Sequence, residues 1–418
     1  MTIRVPQERM RLAGLMVLAL LIGGCSSSGL QNLAKGNPQS ESVWEQPGER
    51  ISIPFDWHDG HLIIPVRVNG SDRLRFAFDT GAAATVVFET ARTQSLGLDV
   101  ERAIKLGETG DAPGVPVNIV NNASVSLDGL GLTGMTILHV PLTGNQLFGG
   151  PDEAYFDGAI GYDLLRRFVT EIDYVRKTIS FSRAPATRAF AAPWQAVPID
   201  LSRGVPVSAV QLESQVAGRE SVALIIDTGA PSYLYLNPDL TRGVVVPERS
   251  YPEASNTFYG PVERTVGRVK TFSIGPFTFD NQLAHFDQAD FKDLGPAIGL
   301  IGNGVLRNFD LVLDYSTQTM WMRPNAGFEP SSPADRSGIS LKPHRLGGVA
   351  QWVAAGSAAG EIGLASGDVV TRLGGASVEQ GNFDAAKKLL SSDREAVDIC
   401  WQAGAKTVCE RLRLTDRM

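Results

Sequence analysis

Two short stretches hold the residue types best suited to chemistry. Asp79-Thr80-Gly81 follows the apolar run Phe76-Ala77-Phe78, and Asp227-Thr228-Gly229 follows Leu224-Ile225-Ile226; both continue into an alanine, Ala82 and Ala230. A single Asp-Thr-Gly is as readily a turn, since Asp and Gly are both turn formers. Two copies in matched settings carry more weight. Carboxyls held about 3 Å apart cannot both ionise, so one keeps a proton that the other lacks. Such a pair supplies a base to activate water and an acid to protonate a carbonyl oxygen or a leaving amine, without a metal.

The elements that must position these aspartates are themselves repeated. The segment Ile160-Gly161-Tyr162-Asp163-Leu164-Leu165-Arg166-Arg167-Phe168, running on to Asp173-Tyr174, recurs as Ile301-Gly302-Asn303-Gly304-Val305-Leu306-Arg307-Asn308-Phe309, running on to Asp314-Tyr315. Ile53-Pro54-Phe55-Asp56 is answered by Val197-Pro198-Ile199-Asp200. A duplicated unit at this spacing is the economical explanation. Each half reads as β structure: runs at 62–68 and 74–78 flank a turn beginning Asn69-Gly70, and runs at 205–212 and 222–226 take the same parts around a lengthened turn. A short helix is expected within 160–168 and within 301–309, where apolar residues recur at three and four.

This pattern resembles the aspartic peptidases of the retropepsin and pepsin clan, over about residues 50 to 325. Alanine after the glycine is the retropepsin form, and two lobes in one chain is the pepsin arrangement. The resemblance implies a mainly β fold of two homologous lobes, at 49–185 and 186–328, with Asp79 and Asp227 as the catalytic pair. It implies that Thr80 and Thr228 lock the two loops together and that Gly81 and Gly229 permit close backbone approach. Gly161 and Gly302 would pack beneath the loops as scaffold. The Gly-rich stretch 107–116, at the place of the pepsin flap, has no tyrosine; Tyr259 in the second half is either a flap residue that touches substrate or a half-buried hairpin aromatic.

Beyond Met322 the texture changes to a linker with Pro324, Pro330 and Pro333. Residues 332–418, with Gly338-Ile339-Ser340-Leu341 and Leu364-Ala365-Ser366-Gly367-Asp368, resemble a PDZ domain of bacterial type. The resemblance implies that the Gly338, Ile339, Ser340 and Leu341 loop offers N–H groups to a C-terminal peptide ligand, which adds a strand to the sheet edge. A hairpin turning at Gly404-Ala405 sets Cys400 opposite Cys409 at a non-hydrogen-bonded position, so a disulfide is expected there, the alternative being two free thiols on one face.

The N-terminus reads as an address. Arg4, Arg9 and Arg11 precede an apolar stretch, 12–22, too short for a typical span, and Ile22-Gly23-Gly24-Cys25 resembles a lipoprotein cleavage site. This implies a signal peptide at 1–24, lipidation at Cys25 and a flexible tether at 25–48. Ser26 after the cysteine implies the outer membrane, facing the periplasm.

With 38 basic against 45 acidic residues the chain has no footprint for nucleic acid. The five histidines show no zinc-ligand spacing, so neither metal nor cofactor is expected, and His58 and His61 read as solvated loop residues. The partners expected are protein or peptide substrates, a peptide ligand and the membrane. The function expected is an aspartic endopeptidase of the envelope; the alternatives are a noncatalytic peptide-binding adaptor on the same lipid anchor and a peptidase that processes only itself or one partner.

Overall fold

The computed structural model describes residues 31–33, 35–106, 115–142, 152, 154–183, 190–214, 218–257, 260–288, 291, 294–330 and 332–418. The leader and Cys25 lie outside the described residues, as do most of the Gly-rich stretch at 107–116 and Tyr259.

Strands dominate, in four sheets among the described residues. Arg50–Pro54 alternates exposed and buried side chains, so it covers one face of a core, whereas Ala297–Ile301 and Phe309–Asp314 are buried at every position and lie within the body. Two of the sheets repeat one local arrangement. Leu74–Phe78 lies parallel to Gly158–Ile160 with Phe78 opposite Ile160, and Gly218–Ile226 lies parallel to Ala297–Ile301 with Ile226 opposite Ile301. Val86–Phe88 and Leu234–Leu236 flank the other side of each pair, antiparallel to it. They run parallel to Leu130–Val140 and Phe277–Phe286 respectively. The halves meet in a six-stranded sheet, where Phe168–Asp173 pairs with Phe309–Asp314 and Ile172 faces Leu311. Arg50–Pro54 and Gln195–Pro198 form its two edges. One apolar cluster runs through both halves, including Phe76, Phe78, Phe181, Leu224, Ile226, Phe279 and Phe309.

Several expectations need correcting. The first hairpin turns over 69–73 with Asn69 and Gly70 at φ 50° and 74°, but the second has the shorter connection between its strands. Its strands, Val207–Ser214 and Gly218–Ile226, pair out to Ser214 opposite Gly218 and leave three residues between them. The alternation of buried and exposed side chains continues through Glu213 and Ser214, which extends the strand beyond its apolar part. The short helices expected within 160–168 and 301–309 are present, as the single turns Tyr162–Leu165 and Asn303–Leu306, each preceded by a buried strand. The stretch 25–48, expected as a tether, is part of the fold from Gln31 onward among the described residues. Glu41–Trp44 pairs with Leu130–Val140, and Leu33 and Asn37 are buried. The segment is polar in sequence because Asn37 spends its amide on partners within the fold: its Nδ2 donates to Thr136 O and to Asp163 Oδ1, both at 2.9 Å.

Residues 338–414 carry a separate apolar cluster built from Ile339, Leu341, Val370, Phe383, Ile399, Trp401 and Leu412. Ile339–His344 is an edge strand of its sheet. Ala396–Ala403 and Lys406–Arg413 pair around Gly404, whose φ is 62°; Cys400 and Cys409 are opposite, disulfide-bonded, with Cα atoms 4.1 Å apart.

Candidate active site

The two Asp-Thr-Gly loops meet at the interface of the halves. Each leaves a strand whose neighbour holds it in the same way: Asp79 N–H donates to Ile160 O and Asp227 N–H to Ile301 O, both at 2.9 Å. The threonines cross over. Thr80 N–H donates to Thr228 Oγ1 and Thr228 N–H to Thr80 Oγ1, each at 3.0 Å. The hydroxyls donate onward into the opposite half, Thr80 Oγ1 to Ile226 O at 2.5 Å and Thr228 Oγ1 to Phe78 O at 2.8 Å. Four hydrogen bonds between fully buried groups fix the separation of the loops, where an unmade bond would cost about 1–3 kcal/mol.

Both carboxyls are buried, Asp79 at 0% and Asp227 at 2% exposure. Gly81 N–H donates to Asp79 Oδ1 and Gly229 N–H to Asp227 Oδ1, both at 2.8 Å. The glycines are required by approach. A Cβ on Gly229 would sit 2.3 Å from Asp79 Cγ, and one on Gly81 would sit 2.8 Å from Asp227 Cγ. Each aspartate therefore lies over the other loop's glycine, with Asp79 Oδ2 buried and receiving no hydrogen bond from a donor group. Burial raises the Asp79 carboxyl well above the usual range, and the neighbouring Asp227 charge raises it further. Asp227 is raised to about 6, again by burial, with the Gly229 N–H and the Asp79 hydrogen bond working against it. Asp79 is thus the member that keeps the proton and Asp227 the one that ionises first.

The stretch holding Asp79 is similar to a known family. Residues 64–164 match the family model described as Aspartyl protease. That part of the chain has an aspartyl-protease-like fold, and the match points to an aspartic-type peptidase. It contains Asp79-Thr80-Gly81 and Gly161 and stops before Asp227. Among solved structures, the aspartic proteinase from Irpex lacteus is similar at a TM-score of 0.40 and 13% identity, over 66% of this chain and 98% of that one. No curated protein matches the chain.

Gly161 and Gly302 lie against the two loops. A Cβ on Gly161 would fall 2.0 Å from Asp79 O, and one on Gly302 would fall 2.7 Å from Ala230 O and 2.3 Å from Ser232 O. Tyr162 N–H donates to Ala82 O and Asn303 N–H to Ala230 O, closing both loops alike.

Three features of the site escaped the sequence reading. Asn303 Nδ2 donates to Thr228 O at 2.5 Å and to Gly60 O at 2.8 Å, while its Oδ1 accepts from Tyr174 Oη at 2.9 Å. Asp163 is buried under the first loop, its Oδ2 accepting from Thr85 N–H and Thr85 Oγ1 at 2.7 and 2.9 Å. Both stand where the repeat loses its symmetry, Asn303 opposite Tyr162 and Gly304 opposite Asp163, which was the available signal. The third is the turn at 58–61. His58 and His61 are buried at 4% and 8%, which corrects their reading as solvated. Asp59 and Gly60 have φ of 45° and 82°, a tight turn between Asp56–His58 and His61–Val68, and Asp-Gly is a strong hairpin signal that pointed to it.

In the C-terminal residues, Gly338 N–H donates to Asp335 Oδ2 at 2.7 Å and Ile339 N–H to Ser337 Oγ at 3.0 Å. The Gly338 N–H thus already holds a carboxylate of the chain itself, Asp335, which Arg417 also pairs at 2.6 Å. Ser340 and Leu341 are buried in the strand that follows.

Proposed function

We propose that the chain is a two-lobed aspartic endopeptidase of the cell envelope that cleaves protein or peptide substrates with the Asp79 and Asp227 pair. The observation that carries this reading is the reciprocal Thr80 and Thr228 interlock, which holds two buried carboxyls together, both raised and Asp79 the more strongly. Water bound between them loses a proton to ionised Asp227 as its oxygen attacks the scissile carbonyl carbon, and Asp79 gives its proton to the carbonyl oxygen. The resulting diol then returns a proton to Asp79 while Asp227 passes its own to the amide nitrogen, and the C–N bond breaks. Digestion of a peptide library read by mass spectrometry tests this, with Asp79→Asn as the control. Intact peptides would leave the noncatalytic adaptor in its place.

The charge states set the pH dependence. The Asp227 value is raised to about 6, so its base form predominates above about pH 6, while Asp79, also raised, keeps its proton as Asp227 ionises. kcat/KM is expected to rise through about pH 6 as Asp227 ionises. A plateau already reached at pH 4 would contradict this charge assignment.

The anchor belongs to the same proposal. Cleavage before Cys25 and acylation of its thiol would hold the protein at the outer membrane, facing the periplasm, and the oxidising compartment suits the Cys400–Cys409 disulfide. Cys25→Ser is expected to shift the protein from the membrane to the soluble fraction on cell fractionation. Residues 332–418 are read as a PDZ-like module, supported by their own apolar cluster and the edge strand Ile339–His344. A peptide C-terminus entering at Gly338 would take the place of the Asp335 carboxylate.

A further inference from the structure

Asp59 is the one residue of the 58–61 turn whose charge reaches across to the C-terminal residues. Its side chain is only 1% exposed, yet it lies against two lysines of another part of the chain: Lys387 Nζ at 2.6 Å and Lys342 Nζ at 3.1 Å. Lys342 belongs to the edge strand Ile339–His344 and Lys387 to the helix Phe383–Lys388, so the carboxylate sits in the cleft between them. The His58 ring lies 6.1 Å from the Phe383 ring, centroid to centroid, and Asp59 N–H donates to Asp384 Oδ2 at 3.2 Å. Burial alone would raise the Asp59 carboxyl; the fields of Lys342, Lys387 and His61 and the Lys387 hydrogen bond outweigh it and hold the group ionised.

The cleft thus reads three features of its occupant: a ring on Phe383, an amide N–H on Asp384 and a carboxylate between two ammonium groups. All three come from a short turn. The lysine side chains remain 28% and 39% exposed, so they are reachable by a competitor without prior unfolding.

We propose that the cleft between Ile339–His344 and Phe383–Lys388 is a binding site for an acidic β-turn, an Asp-Gly preceded by a ring residue, on a protein partner, and that the 58–60 turn fills it in cis. A partner presenting that turn exchanges with the chain's own. Exchange also frees Gly60, whose carbonyl is one of the two that Asn303 Nδ2 holds, the other being Thr228 O beside Asp227. The cis occupant acts at high effective concentration, so a free turn binds the parent chain weakly, and removing the Asp59 charge uncovers the site.

The test is binding, which is independent of whether the chain cleaves anything. A labelled hexapeptide with the sequence of residues 57–62, and its Asp→Asn form, are titrated onto the full chain carrying Asp227→Asn, with and without Asp59→Asn. The expected result is at least tenfold tighter binding to the Asp59→Asn chain, lost on adding Lys387→Met and lost with the Asn peptide. No binding to the Asp59→Asn chain, or equal binding of the two peptides, overturns the proposal. Should Asp59→Asn fail to fold, hydrogen exchange on the Asp227→Asn chain decides: millimolar Asp peptide is expected to speed exchange at 57–61 at least threefold, and no change refutes it.

Discussion

Asp79→Asn and Asp227→Asn are each expected to lower kcat/KM for a peptide substrate by at least about a thousandfold, and the double variant to be scarcely worse than either. Neither carboxyl can replace the other, because one must be ionised while its partner is protonated. The fold should survive, since the interlock runs through Thr80, Thr228, Phe78 and Ile226 and leaves the carboxyls out. Stability should in fact rise. A carboxyl whose folded value is raised favours the native state while protonated, and that advantage is lost as pH climbs through about 6 for Asp227. Asp227→Asn removes the buried charge, so its melting temperature is expected to exceed the parent's at pH 8 and to converge on it below pH 4. Calorimetry at both values checks the sign. A folded variant of either aspartate that cleaves at the parent rate removes the catalytic role.

Gly161→Ala is expected to cost about 3 kcal/mol of stability and at least about a hundredfold in kcat/KM. The reason is steric. A Cβ on Gly161 would lie 2.0 Å from Asp79 O and 2.6 Å from Ala82 O. Both obstacles are backbone of the Asp79 loop itself, and they cannot rotate away. The loop must shift, and it carries Asp79 with it. Gly381→Ala serves as control, since its Cβ would meet nothing within 4 Å. Chemical denaturation of the two variants side by side separates a packing clash from a general intolerance of alanine; equal stability of both would refute the account.

Much of this site was legible in the chain because it is written twice. Repeats expose which positions are constrained: Asp79 and Asp227, Gly161 and Gly302 recur in register, and the structure places each pair in equivalent contacts. The Cys400 and Cys409 pairing was similarly accessible, since a two-residue turn at Gly404-Ala405 fixes the register of its strands. Local signals also existed where they were passed over, as at Asp59-Gly60.

What sequence determined by itself was therefore whatever depends on neighbours along the chain or on the internal repeat: the β character, the two Asp-Thr-Gly strand ends, the turns and the change of texture after Met322. Only the tertiary structure decided the rest. His58 and His61 are polar, close to a turn and flanked by acids, so nothing local predicts burial; they pack against rings distant in sequence, Tyr155 beside both, Phe156 beside His61 and Phe383 beside His58. Residues 31–44 look like tether for the same reason, since Asn37 is satisfied by Thr136 and Asp163. Buried polar groups are chosen for partners distant in sequence, and a partner's position is known only once the chain has folded.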